Sequence, residues 1–568
     1  MYFNSKGKEE VTYDAIVIGS GISGGWAAKE LTEKGLKVLI LERGRPQAHG
    51  DYPTATLERW DVPNRGQLTE AEWKDYQKQR RTGYTVTQFT KHYWVKDTEH
   101  PYHETKPFDW IRGYHVGGRS LLWGRQSYRL GDMDFSANAR DGIAVDWPIR
   151  YADISPWYDY VEEFIGVSGE NVGHPQTPDG KFMPAMELNC VESHLRTKIS
   201  EKFDDRLLMP GRVAHITAKG GHNGRGTCQF RNRCIRGCPY GAYFSSNSST
   251  LPAASATGNL TIRPFSIAHS IIYDDAQQKA TGVQVIDAET MESHEFFSKI
   301  IFVCASALPS AAILMNSKSD RFPNGLGNDS GELGHNVMDH HLHVGARAEY
   351  DGFEDKYYKG RRPNGIYIPR FRNMSRQTKM KDFIRGYGYQ GGGSRQGWWR
   401  PAEARIGKNL KEELAQPGGW TMGLSGFGES LPYHENKMTL RYDKLDKWGL
   451  PTLDMDVEWK ENERAMRKDI MVAAAEMLEA GGFKNITEYD GQSNPGNGIH
   501  EMGTARMGRD PKTSVLNKWN AVHTVPNVFL TDGACMTSAG NQNPSLTYMA
   551  LTARAANHAV EELKKLNL

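Results

Sequence analysis

Cysteine is scarce in this chain, with six in 568 residues, unevenly spaced. That excludes the dense disulfide framework of small secreted domains. An excess of either charge is also missing. Lys plus Arg number 70 against 68 for Asp plus Glu, so no strong field points to nucleic acid or to an acidic partner. No stretch approaches the roughly 20 apolar residues needed to cross a bilayer, so no membrane span is expected. The opening residues, MYFNSKGKEEVTYD, carry neither the apolar core nor the twin arginine of an export signal. The expected location is cytoplasmic, or periplasmic if the chain is exported while folded on a signal-bearing partner. Aromatic residues are plentiful, at 10% with 14 Trp and 25 Tyr, which suits aromatic-walled sites such as those that bind sugars. The length allows one large composite core or two domains sharing an interface.

The N-terminal region reads as a nucleotide-binding unit. Residues 14–18 (DAIVI) form a short apolar, β-branched run, as a buried parallel strand should. Gly19-Ser20-Gly21-Ile22-Ser23-Gly24 follows at once, then a helix from Gly25 to Lys34 and a second strand, KVLILE, ending at Glu42. Gly19 permits the tight turn, Gly21 admits a pyrophosphate to the backbone, and Gly24 lets helix and strand pack closely. Glu42, followed by Arg43, would accept hydrogen bonds from ribose hydroxyls and argues against a 2′-phosphate. The motif by itself does not separate FAD from NAD.

Three of the six cysteines fall within eleven positions, in CQFRNRCIRGCPYGA. Cys228, Cys234 and Cys238 have the spacing C-x5-C-x3-C, with Pro239 directly after the last. Three thiolates fit a cuboidal iron–sulfur cluster lacking one iron, whereas structural zinc wants four ligands. Cys190 is a candidate fourth, and three plain reduced thiols remain the alternative. Arg225, Arg231, Arg233 and Arg236 suggest an exposed, positively charged loop that offsets thiolate charge. A cluster here would pass electrons on singly.

Further motifs follow in order. Arg112-Gly113-Tyr114-His115-Val116-Gly117-Gly118-Arg119-Ser120 leads into Leu121-Leu122-Trp123-Gly124. Near the C-terminus, His500-Glu501-Met502-Gly503-Thr504 precedes strand-like NVFLTDGA, with Asp532 and Gly533, and then Asn541-Gln542-Asn543-Pro544-Ser545. With FVCASALPSAAILMNS at 302–317, these segments resemble the glucose-methanol-choline (GMC) family of FAD oxidoreductases. The resemblance implies an α/β fold, with a Rossmann-like FAD-binding domain and a discontinuous substrate domain on an antiparallel sheet. The implied FAD domain is 11–150, 200–345 and 491–568, with 46–110 as a lid or partner surface and 225–245 as the cysteine loop. The implied substrate domain is 151–199 and 346–490. Gly117 and Gly118 would let the backbone lie against a flat flavin ring. Ser120, Trp123, Gly124, Asp532, Gly533 and Ser545 join the expected FAD contacts. Some family members attach the flavin to a His just before the Trp; Leu122 stands there, so FAD is expected to be non-covalent. Pro544 would open a helix whose positive end faces the flavin.

His500 matches the family's catalytic base, and Asn543 the residue that pairs with it. A neutral imidazole, with an unperturbed pKa of about 6.5, can take the hydroxyl proton as hydride leaves. Asp339-His340-His341-Leu342-His343 tempts a metal reading, but it follows LGHNVM, where the family has a strand leaving the FAD domain. The cysteine run resembles that of large subunits related to gluconate 2-dehydrogenase and glucoside 3-dehydrogenase, whose three thiolates hold a 3Fe-4S cluster. The resemblance implies a sugar dehydrogenase that oxidises a secondary hydroxyl of a pyranose or pyranoside, by preference C3 of a glucoside. Its partners would be a small companion subunit and a cytochrome or quinone-linked acceptor. Alternatives are a cluster-free pyranose oxidase using oxygen, a gluconate or polyol dehydrogenase, and a non-catalytic flavin electron-transfer subunit. Trp398 and Trp399 could form a sugar-stacking wall, or serve as core or interface. Asp153-Ile-Ser-Pro signals a helix start, and the apolar spacing of 461–480 predicts a helix stopping at Gly481.

Overall fold

The apolar run near the N-terminus becomes the middle strand of an eight-stranded sheet. Tyr13–Ile18 lies between Val38–Leu41 and Ser293–Val303, both parallel to it, with Ile16 level with Leu39 on one side and Ile301 on the other. Leu260–Arg263 extends the parallel array beyond Val38–Leu41, and Val525–Leu530 extends it beyond Ser293–Val303. An antiparallel pair, Ser266–Asp274 and Lys279–Asp287, leans on Ser293–Val303. Every residue of Val38–Leu41 is buried, because helices and loops cover both faces of the parallel strands. This is a computed structural model; it describes residues 12–357, 365–397 and 405–568.

The first helix is Ile22–Glu33, three residues earlier than the sequence suggests, and it packs on the C-terminal helix Ser545–Lys564. Ala27, Ala28 and Leu31 share one core with Ala555, Ala556 and Ala559, and these small side chains allow the two helices a close approach. Gly24 is required by packing: a Cβ there would sit 1.9 Å from the carbonyl oxygen of Gly19. The helix can begin this close to the strand only with glycine.

A second sheet of seven strands is antiparallel throughout, in the order 484–490, 344–350, 420–429, 387–395, 366–368 and 209–210, with 340–341 also paired to 420–429. Helices Glu461–Ala480 and Cys190–Lys202 bury Met466, Ile470, Met477 and Leu195 against it. The first of these ends at Gly481, as its spacing predicts. Tyr151–Ile165 starts two residues before Asp153, which instead accepts the N–H of Arg150 (2.8 Å) from its third position. Trp398 and Trp399 lie outside the described residues. Among those described, no helix is long and apolar enough to cross a membrane.

Candidate active site

A cavity of about 670 Å³ runs between the C-terminal ends of the parallel strands and the second sheet. Gly19, Gly21, Glu42, Arg43, Gly118, Ser120, Trp123, Gly124, Asp532, Gly533, Asn543, Ser545 and His500 all line it. Gly24 and Pro544 stand behind the lining, Gly24 in the first turn of the first helix and Pro544 as the residue that opens the last. Gly117 is not among the residues of the lining. Its φ is +90°, and a Cβ would lie 1.7 Å from Oδ1 of Asn247, so the Asn247 side chain by itself demands glycine there. The segment 46–110 folds as short helical turns and sends Tyr84, Trp94, His100 and Trp110 to the lining.

The lining suits an extended dinucleotide. Gly21 has open space where a Cβ would be, and helix Ile22–Glu33 has no side-chain cap, so its first N–H groups are free to meet phosphate oxygens. Beside them the buried carboxylate of Glu42 accepts from Ser20 N–H (3.1 Å), Ser20 O–H (2.5 Å) and Gly44 N–H (2.8 Å). The Arg43 guanidinium lies 4.8 Å from the Tyr114 ring centroid and 5.0 Å from that of Trp448. Farther along, Trp123 Nε1 and the Tyr548 hydroxyl are buried without a hydrogen-bond partner, as expected of groups awaiting a ligand. These features fit FAD.

At the other end the reacting groups meet. His500 Nε2 lies 3.4 Å from Nδ2 of Asn543, whose Oδ1 accepts from Nε2 of Gln390 at 2.5 Å. Gln390 sits on strand Tyr387–Arg395, so the second sheet sets the orientation of Asn543 and turns its N–H donors toward His500. Burial, with smaller pushes from His340 and Arg119, holds the His500 pKa well below the usual histidine range. The imidazole is therefore a neutral base at physiological pH. Arg119 forms a forked pair with Glu501 (3.0 and 2.8 Å) and reaches Ser306 Oγ at 2.5 Å. The carboxylate of Asp532 accepts Ser306 N–H (2.9 Å), Ser310 O–H (2.6 Å) and Ala534 N–H (2.9 Å), and burial pushes its pKa up to about 6.

Cys228, Cys234 and Cys238 are half-buried on one loop. Among the described residues no three His, Cys, Asp or Glu side chains converge as ligands of a single metal ion. Cys190 does not fold back to them; it opens helix Cys190–Lys202 against the second core. Arg225 is not on an exposed loop either. It is buried and donates to the carbonyls of Gly241 (2.8 Å), Ile165 (2.6 Å) and Ala242 (3.3 Å). Arg231, Arg233 and Arg236 clip the loop to the carbonyls of Ala55, Thr56 and Leu57. The buried Arg125 acts on Cys234 and Cys238 from inside, as Arg225 does on Cys238, and it donates to the carbonyls of Trp123, Leu121 and Phe244. The thiols thus stand behind the cavity wall that carries Trp123.

Gln390, Arg119, Asp339 and His340 belong to the site without having been assigned a part in it from sequence. His340 was singled out only within the DHHLH run. The structure separates that run: His340 touches His500, while His341 packs edge-on to Trp459.

Comparisons with known proteins point to one family. A family model described as GMC oxidoreductase matches residues 13–342, and a second of the same description matches 432–552. The chain is 29% identical to 2-methyl-1,2-propanediol dehydrogenase from Mycolicibacterium austroafricanum, over 96% of its own length and 94% of that protein's. It is 25% identical to the fructose dehydrogenase large subunit from Gluconobacter japonicus, over 98% and 99%. Among solved structures, pyridoxine 4-oxidase from Mesorbium loti superposes with a TM-score of 0.61 at 17% identity, covering 96% of this chain and 99% of that one.

Proposed function

Because the chain belongs to the GMC oxidoreductase family, and is thereby an FAD-dependent oxidoreductase of CH–OH groups, we propose that it is a dehydrogenase of neutral sugars. Its substrate would be a secondary hydroxyl of a pyranose or pyranoside, by preference C3 of a glucoside, giving a 3-keto-sugar. One observation carries the reading: a neutral base and an amide donor stand 3.4 Å apart, facing a cavity beside the second sheet. A hydroxyl seated in the cavity against both would accept an N–H from Asn543 Nδ2 and give its proton to His500 Nε2. When bound, FAD would supply the acceptor for the hydride leaving the carbinol carbon. The FAD-binding residues of this reading are the helix N-terminus after Gly21, Glu42 and Arg43 for the adenosine half, and Gly118 to Gly124 with Asp532 to Ser545 for the flavin half. The domain division of the sequence reading, 11–150, 200–345 and 491–568 against 151–199 and 346–490, goes with it.

Charge favours a neutral sugar over gluconate. The three arginines on the cavity lining are each paired, Arg43 with Asp446 (3.5 Å), Arg112 with Asp97 (3.5 Å) and Arg119 with Glu501 (2.8 Å). Among the described residues each lining arginine thus already has a carboxylate counter-charge, which disfavours recruiting it to a substrate carboxylate. Mixed anaerobically with the enzyme, methyl glucosides should bleach the flavin, and NMR of the product should show a ketone at C3. Bleaching by gluconate and not by glucosides would overturn the substrate reading.

Cys228, Cys234 and Cys238 would hold a 3Fe-4S cluster, which would let electrons leave one at a time toward an outside acceptor. Their common loop and the nearby Arg125 and Trp123 support this. The relative from Gluconobacter japonicus is named as a large subunit, which supports a small companion subunit here, with a cytochrome or quinone-linked acceptor. Export folded on that companion would place the enzyme in the periplasm. Protein purified without air should contain about three irons per FAD and a 3Fe-4S EPR signal. Cys234→Ser should spare flavin reduction by sugar and slow electron transfer to a cytochrome. FAD without iron, in protein never exposed to oxygen, would instead favour the oxygen-using oxidase.

A further inference from the structure

His340 stands directly behind His500, buried, and off the cavity lining. The two rings meet edge-on, with their Nδ1 atoms 2.8 Å apart. On its far side His340 Nε2 lies 2.8 Å from the carbonyl oxygen of Gly540. A carbonyl only accepts, so Nε2 of His340 carries a proton. Burial holds His340 neutral, its pKa lowered to about 4, so its Nδ1 is a lone pair. The proton between the rings must then sit on Nδ1 of His500, and that leaves His500 Nε2 as the lone pair facing Asn543 and the cavity.

We propose that His340 is a positioning residue that fixes the reactive tautomer of His500, with the Gly540 carbonyl setting its own. The inference rests on the reading of His500 as the base and deepens it. Without a fixed acceptor at Nδ1, His500 could carry its proton on Nε2, where a substrate hydroxyl would meet a donor and no base. The choice of a neutral acceptor matters as well. A carboxylate at position 340 would draw His500 toward its charged form, whereas an imidazole orients it and leaves it neutral. Once His500 takes the substrate proton, its Nδ1–H stays bonded to His340 and the new charge is shared along that bond.

The fold couples the parts. Gly540 and Asn543 lie on one loop, so the segment that orients His340 also carries the substrate's amide donor. Strand His340–His341 is paired to 420–429 of the second sheet, with His340 level with Glu429. The titratable and charged groups around His500 are His340, Arg119, Glu501 and Asp339. Arg119 and Glu501 satisfy each other, and Asp339 is turned to backbone N–H groups, which leaves His340 as the partner of the ring.

The test is the limiting rate of anaerobic flavin reduction across pH for three variants. His340→Leu should lower it by about 10²-fold or more, the scale of loss when a catalytic histidine is held in the wrong tautomer, with substrate affinity nearly unchanged. His340→Gln should recover it to within about tenfold, since the amide can accept from Nδ1–H and donate to Gly540. His340→Asp should move the acid limb of the rate profile up toward neutral pH. A full rate in His340→Leu would overturn the proposal. Equal losses in Leu and Gln, with no shift of the profile in Asp, would reduce His340 to packing. If His500→Ala itself keeps a fast rate, the base assignment fails instead, and the two failures are distinguished.

Discussion

Replacing His500 with alanine is expected to slow anaerobic reduction of the flavin by about 10²–10⁴-fold, the range supplied by a positioned general base. FAD content should be unchanged, because the groups suited to the dinucleotide lie elsewhere on the lining, at the first helix, Glu42 and Arg43. The loss should fall on the limiting rate more than on substrate affinity, since Asn543 keeps its amide fixed by Gln390. The wild-type profile provides a second check. With the His500 pKa held well below the usual histidine range, the imidazole is already deprotonated at neutral pH, so its rate should show no acid limb near an ordinary histidine pKa of about 6.5. Alanine also leaves room beside Asn543, and added imidazole should restore part of the rate. Stopped-flow absorbance with a sugar substrate measures all three, and fast reduction in the alanine variant would remove His500 from the chemistry.

The parts of this site that were legible in the sequence are those written in local backbone geometry. Gly19, Gly21 and Gly24 announce a strand-turn-helix because each answers a short-range steric demand, and the structure meets Gly24's demand with the carbonyl of Gly19. Glu42 is legible for the same reason, lying one strand later. The second sheet's contribution was not legible. Gln390 reaches Asn543 across 153 positions and His340 reaches His500 across 160, and no local pattern encodes either meeting. Charge was misread where burial reversed its meaning. Arg225, apparently one of four loop cations, is turned inward to cap carbonyls, and only its neighbours stay on the loop. The steric demand that Asn247 places on Gly117 was likewise not legible, since it comes from 130 positions away in the chain.

Asp339→Leu should be the most damaging substitution for the fold around the base. The buried Asp339 carboxylate accepts three backbone N–H groups, those of Gly496 (2.8 Å), Gly498 (2.9 Å) and His500 (3.0 Å). Leucine would leave all three without a partner, at about 1–3 kcal/mol each. The loop they hold is strained: Ile499, a β-branched residue next to the base, has φ of +58°, a conformation that costs on the order of 1–3 kcal/mol and persists only where neighbours enforce it. Released, Ile499 should relax and carry His500 off the Asn543 amide, so activity falls along with the unfolding midpoint. Asp339→Asn keeps one acceptor oxygen and should lose roughly one of the three bonds. Its pH dependence is distinctive. Burial, and then the charge of Glu501, push the Asp339 pKa up to about 7, so the folded protein binds a proton that the unfolded chain releases between its ordinary 3.8 and 7. Stability from this group is fully present below 3.8 and is lost as pH rises through 7. The asparagine variant lacks that loss, so its deficit relative to wild type should be larger at pH 5 than at pH 8. Denaturant unfolding at the two pH values measures the difference. An equal deficit at both would mean that Asp339 is already ionised at pH 5, and that the three N–H bonds outweigh burial.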